Sequence, residues 1–215
     1  MLRSGKEVRD FPERRKAIVR YPTLRGLADA GVLRRIQTTL GINTTLKEFR
    51  TNSGLLQFDY KVNYNKNYLF DITITEEAEG AYPEMNSKHF LFSLRTGRTI
   101  KAADAFDAAS LAGLAAMANQ KLKDEIKELL QANEEGTSDA DQKTDIRDQL
   151  NSLVFGVEHL NDFMVSDKGV TFLYNARFRH AIRALQPNGE YFFSHGDLRR
   201  YIKSSGPLGI FTVKG

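Results

Sequence analysis

The chain has 215 residues, 41% hydrophobic and 27% charged, with a formal net charge of +4 and no cysteine. That is ordinary globular usage, and it excludes a disordered polyelectrolyte, a disulfide framework, a thiolate metal centre and a cysteine nucleophile. No apolar run reaches the ~18 residues of a membrane span, and residues 1–20 lack the apolar stretch of a signal peptide.

In chain order, residues 1–10 are polar and are expected to fray. Lys6, Arg9, Arg14, Arg15, Lys16, Arg20 and Arg25 hold much of the positive excess. A cluster of this size is ordinarily a solvated face, and nucleic acid is not expected as a partner. Ala17–Tyr21 reads as a short strand between Pro12 and Pro22. Leu24, Leu27, Ala28, Val32, Leu33, Ile36 and Leu40 recur at helical spacing, which predicts an amphipathic helix closed by Gly41. Leu55–Val62 and Tyr68–Thr75 alternate at period two around Asn63-Tyr64-Asn65-Lys66-Asn67, the pattern of an antiparallel hairpin. An acidic loop over Glu76–Glu84 and a strand over His89–Leu94 follow, then a tight turn at Arg95-Thr96-Gly97-Arg98.

Asp104 opens a helical stretch, and Ala108–Leu130 is the longest helix, supported by charges four residues apart. Ala132–Gln142 reads as a polar loop and Asp141–Leu153 as a shorter helix. Asp162–Ser166 and Val170–Tyr174 form a hairpin about Asp167-Lys168-Gly169, and Tyr191–Phe193 is a further strand. His195–Ile202 is a terminal helix with Ser194 as N-cap. Strands and helices come in blocks, so the fold class is α+β, with antiparallel or mixed sheets and helices packed on one face.

Ser194, His195 and Asp197 have the residue types of a hydrolytic triad. Neighbours at a helix start point in different directions, whereas a triad is assembled from distant segments, so the capping role is preferred. The four histidines, His89, His159, His180 and His195, show neither i,i+4 pairing nor an HExxH context. No metal site, cofactor or catalytic residue is assigned. Glu76, Glu77, Glu79 and Glu84 lack the ligand spacing of a calcium loop. Together with Tyr82 they form the candidate partner-binding surface, suited to a cationic protein.

Several segments carry a family resemblance. Tyr21-Pro22 before a helix, Gly80-Ala81-Tyr82-Pro83, and Phe90-Leu91-Phe92-Ser93-Leu94-Arg95-Thr96-Gly97-Arg98 before Ala103-Asp104-Ala105-Phe106 occur in the order of a known domain. Asp162–Phe172 and Tyr191-Phe192-Phe193 through Asp197-Leu198-Arg199-Arg200-Tyr201 complete it. The pattern resembles the extracytoplasmic domain of unknown function shared by lysozyme-sensing anti-sigma factors of the RsiV type and the accessory region of PdaC-type peptidoglycan deacetylases. Tyr82 stands where that family has a turn histidine, and no transmembrane or sigma-binding segment is present.

The resemblance implies a non-catalytic extracytoplasmic binding module for a cell-envelope component or a protein such as lysozyme. The alternative is an envelope-acting hydrolase using carboxylates with His195 or His180. The expected organisation is an N-terminal helix-plus-hairpin half over 17–85, a C-terminal half over 86–205, and tails at 1–16 and 206–215. A place outside the cytoplasm is expected where an export signal upstream of Met1 has been removed.

Overall fold

The structure, a computed structural model, describes residues 2–10, 16–49, 54–79, 83–136, 140–178 and 180–212. The chain divides into two units, Met1–Ile100 and Lys101–Gly215. The boundary expected between residues 85 and 86 falls inside a strand of the first unit.

The first unit is a five-stranded sheet in chain order: β1 (Leu2–Asp10), β2 (Lys16–Leu24), β3 (Leu55–Lys66), β4 (Leu69–Glu79) and β5 (Pro83–Ser93). Neighbours run antiparallel except β2 and β3, which pair in parallel through Ile18 with Gln57 and Val19 with Phe58. A parallel pair needs a long crossover. Two helices provide it: α1 (Ala30–Thr39) and α2 (Ile42–Phe49).

Period-two alternation decides the faces of this sheet. Ala17, Val19, Phe58, Phe70, Ile72, Ile74, Phe90 and Phe92 are buried in one core with Val32, Ile36 and Leu40 of α1. The opposite face carries Arg20, Gln57, Asp59, Lys61, Thr73, Thr75, Glu77 and Ser87, as the register requires. On that face Arg20 donates to Asp59 at 2.6 Å.

Three expectations are corrected in this unit, and one helix is added. Residues 2–10 do not fray but pair with β2 along their whole length. The helix begins at Ala30 rather than Leu24: Leu24 ends β2 opposite Leu2, Gly26 turns the chain with φ 82°, and the Asp29 carboxylate caps Gly31 and Val32. The helix ends as expected, with Leu40 as its C-cap and Gly41 next, but a second helix that the sequence did not suggest, α2, follows at once; its weak helix formers Asn43, Thr44 and Thr45 hid it. The hairpin strands extend through the Asn-rich segment, and the turn falls on Asn67 and Tyr68, at φ 56° and 60°.

The second unit holds α3 (Ala102–Ala105), α4 (Leu111–Gly136), α5 (Ala140–Asn151) and an antiparallel three-stranded sheet. Its strands are β6 (Phe163–Val165), β7 (Gly169–Leu173) and β8 (Glu190–Ser194), followed by α6 (His195–Leu198). The expected loop over Ala132–Gln142 is mostly helix, since α4 runs to Gly136 and α5 starts at Ala140. Phe106, Phe155, Phe163 and Phe172 are buried, and their rings meet with centroids 5.7–6.3 Å apart. Glu125 of α4 accepts from the Tyr191 hydroxyl at 3.0 Å and from the Asn188 backbone, tying the long helix to β8. Burial, and then the Glu125 charge, push the Tyr191 phenol well above its ordinary range. The two units together are α+β, as the element blocks imply.

Candidate functional site

The acidic segment is not a loop. Glu76, Glu77 and Glu79 belong to β4, and Glu84 belongs to β5, whose register with β4 reaches Glu79 opposite Pro83. Residues 80–82, Tyr82 among them, lie outside the described residues. Alternation then separates the carboxylates. Glu76 shares the face of Ile72 and Ile74 and is 1% exposed, so it is removed from any docking surface. Glu77 sits on the opposite, half-buried face, with Met85 across from it on β5. Met85 is 74% exposed, the most open apolar side chain of this strand end. Glu79 is exposed at the end of β4, where its N–H donates to the Gly54 carbonyl at 2.6 Å. Glu84 is on the adjoining strand; its side chain is outside those described. Of the predicted set, the structure brings Glu77 and Glu79 to one accessible strand end.

The same face becomes buried toward the other end of the strands, where sequence reasoning missed a polar network. Asp71 is fully buried, and its Oδ1 receives Nδ2 of Asn63 at 2.8 Å. The same oxygen faces Nε2 of His89 at 2.7 Å, with the two side chains of that pair 0% and 5% exposed. An ionised carboxylate only accepts, so Nε2 carries the hydrogen of that contact. Asn63 also donates to Oγ1 of Thr73 at 2.8 Å. The register of β3 against β4 slips between Val62 and Tyr64, so Asn63 is the extra residue of a bulge. A bulge re-aims a side chain, and here it turns the amide onto Asp71.

The other histidines have packing partners. Nδ1 of His159 accepts the Gly156 N–H at 2.9 Å, while its ring meets Tyr174 edge-on at 4.9 Å. His195 stacks on Phe211 at 3.9 Å, and its Nε2 lies 2.9 Å from the Ser166 carbonyl, which fixes Nε2 as donor. Ser194 and Asp197 form the expected capping box: the Asp197 N–H donates to Ser194 Oγ at 3.1 Å, and Asp197 Oδ2 accepts from the Ser194 N–H and hydroxyl. The Ser194 hydroxyl is thereby directed to Asp197 and not to the imidazole. These bonds hold the Asp197 carboxyl below its ordinary range. The side chain of His180 is outside those described. A groove of about 380 Å³ lined by Lys123, Ile126, Lys127, Leu130 and Leu153 brings together no histidine and no carboxylate. Among the described residues there is no group of three or more His, Asp and Glu that could hold a metal ion.

With this geometry the chain can be set against known proteins. No protein-family model matches it, and no curated protein matches it in sequence. Solved structures do. A DUF3298 family protein from Pseudomonas aeruginosa PAO1 superposes with a TM-score of 0.56 at 15% identity, covering 94% of each chain. A member of the DUF3298 family from Bacteroides fragilis gives 0.56 at 13% identity, covering 100% of this chain and 98% of that one. The fold fits a DUF3298-type domain. At such identities the likeness speaks for the fold, and no functional residue is carried across. No described helix is long and apolar enough to cross a membrane.

Proposed function

We propose that this chain is a non-catalytic binding module acting outside the cytoplasm, and that it docks a cationic protein such as lysozyme, or a cell-envelope component, through the strand end bearing Glu77, Glu79 and Met85. The observation that carries the reading is this accessible pairing of carboxylates with a 74%-exposed methionine on the adjoining strands β4 and β5. Carboxylates at a rim steer a cationic partner and set its orientation, while a flexible thioether fills an adapting contact. Support for a binding rather than a catalytic role comes from the described side chains with acid–base chemistry. His89, His159, His195, Ser194 and Asp197 are each engaged in a structural hydrogen bond. The extracytoplasmic placement rests on the family resemblance.

The test is co-sedimentation with insoluble peptidoglycan and pull-down with lysozyme, using the wild type and the variant E77Q/E79Q/M85A. Loss of about tenfold or more in affinity for either probe, with the circular dichroism spectrum retained, is the expected result. Binding of both probes unchanged by the triple substitution would remove this strand end from consideration. Binding of neither probe by the wild type would remove the reading itself.

A further inference from the structure

At the opposite end of the same strands, the β3–β4 turn has an unusual residue. A two-residue turn with both centres at positive φ favours Asn-Gly, because only glycine occupies that conformation freely. Here the second position is Tyr68, at φ 60° and 58% exposed. A bulky side chain held in the left-handed region at a surface position has no packing role to justify it, and such residues concentrate at binding sites. Its carbonyl accepts the Leu94 N–H at 2.7 Å, which seats the next residue, Arg95, against the ring. The Arg95 guanidinium lies 4.0 Å from the Tyr68 ring centroid.

That guanidinium is poised rather than used. Among the described residues it makes no hydrogen bond and no ion pair, so its planar donors face solvent. The turn carrying it is fixed on both sides. Gly97 donates to Ser93 at 2.7 Å, and the Thr96 carbonyl accepts Nε of Arg35 at 2.8 Å. Arg98, three residues on, is exposed and likewise makes no side-chain hydrogen bond or ion pair among the described residues.

We infer that Tyr68 and Arg95 form a recognition site for a carboxylate carried on an acidic peptide segment of a protein partner. A guanidinium pre-oriented on an aromatic ring presents a fork that matches a carboxylate through two parallel hydrogen bonds, and the stacking removes much of the ordering cost. Arg98 adds charge of the same sign beside it. The site is independent of the acidic strand end, since different residues with opposite charge make it.

The experiment is fluorescence anisotropy of the intact chain with a labelled hexaglutamate peptide and its hexaglutamine counterpart. The wild type is expected to favour hexaglutamate by about tenfold or more. R95K keeps the charge but loses the fork and is expected to weaken binding several-fold, with R95Q and Y68G losing about tenfold. K61Q, an exposed cation elsewhere on the sheet, is expected to bind as wild type within about twofold. Equal affinity for the two peptides overturns the inference. So does full retention of binding by R95K, which leaves only diffuse charge. Each outcome stands apart from the peptidoglycan and lysozyme results.

Discussion

Replacing Asp71 tests whether the buried network of the first unit holds its hairpins together. Asp71→Ala strips the acceptor from two donors, Asn63 Nδ2 at 2.8 Å and His89 Nε2 at 2.7 Å, in a site where Asp71 is fully buried. An orphaned buried donor costs about 1–3 kcal/mol, and removing one partner of a buried pair about 3–5 kcal/mol. With the urea dependence of a chain this size near ~2–3 kcal/mol per molar, the midpoint should fall by about 1–2 M at unchanged slope. Asp71→Asn keeps an acceptor oxygen in the same place and loses only the charge assistance, so its cost should be about 1–2 kcal/mol. Asp71→Ala combined with His89→Ala should cost less than the sum of the single changes, by about 1–3 kcal/mol. The assay is urea unfolding, with amide exchange on β4 and β5 as a readout specific to this unit. If the Asn variant loses as much as the Ala variant, or the cycle is additive, the acceptor geometry does not stabilise this sheet.

Tyr68→Gly should hold or raise stability: glycine holds the same left-handed turn without the Cβ clash, which returns about 1–2 kcal/mol, and the lost exposed cation–π contact removes about 0.5–1 kcal/mol. A clear fall in thermal midpoint would contradict the strain argument. Gly97→Ala should destabilise by about 1–3 kcal/mol in the same measurement, because φ is 71° and the new Cβ would lie 2.8 Å from the Val32 carbonyl oxygen. The pH dependence follows from Asp29 and Asp197, both held below their ordinary range, the first by the backbone N–H groups of Val32 and Gly31. A depressed carboxylate stabilises above its unfolded pKa near 3.8, and that contribution is lost as pH falls through the folded value. Asp29→Asn combined with Asp197→Asn should therefore flatten the stability profile below about pH 4 while leaving its shape at neutral pH unchanged.

Much of the fold could be read from alternation, because the pleat writes burial into every second residue. The β3–β4 hairpin and the β6–β7 hairpin stand where Phe58, Phe70 and Phe172 alternate with polar neighbours. The errors lie where side-chain chemistry misleads about the backbone. Asn63–Asn67 looked like a turn, yet Asn63 is a bulge whose amide is held by Asp71 and Thr73. Four glutamates looked like a solvated loop, but tertiary pairing overrides the poor strand propensity of Glu, and β4 carries Glu76 into the interior. Register itself was not legible, and register decides which carboxylates remain outside: one step turns Glu76 inward and Glu77 outward. Tyr68 in a glycine position escaped notice because a positive φ is not encoded by any alternation.

A net charge of +4 argues at first against a cationic partner, yet in the first unit the carboxylates of the β4 end stand well apart from Arg95 and Arg98. Glu77 and Glu79 stand at one end of β4, and Tyr68, Arg95 and Arg98 gather at the other. The strand has 11 residues, which at a strand rise of about 3.3 Å per residue separates the two ends by roughly 33 Å. Screening at physiological salt acts over about 8 Å, so each end is nearly blind to the charge of the other. A cationic surface approaching Glu77 meets Glu79 on the same strand, at a distance where the charge of Arg95 and Arg98 is screened out. The same separation means that salt should weaken acidic-peptide binding at Arg95 and cationic-protein binding at Glu77 independently, and that neutralising one end should leave the other unchanged.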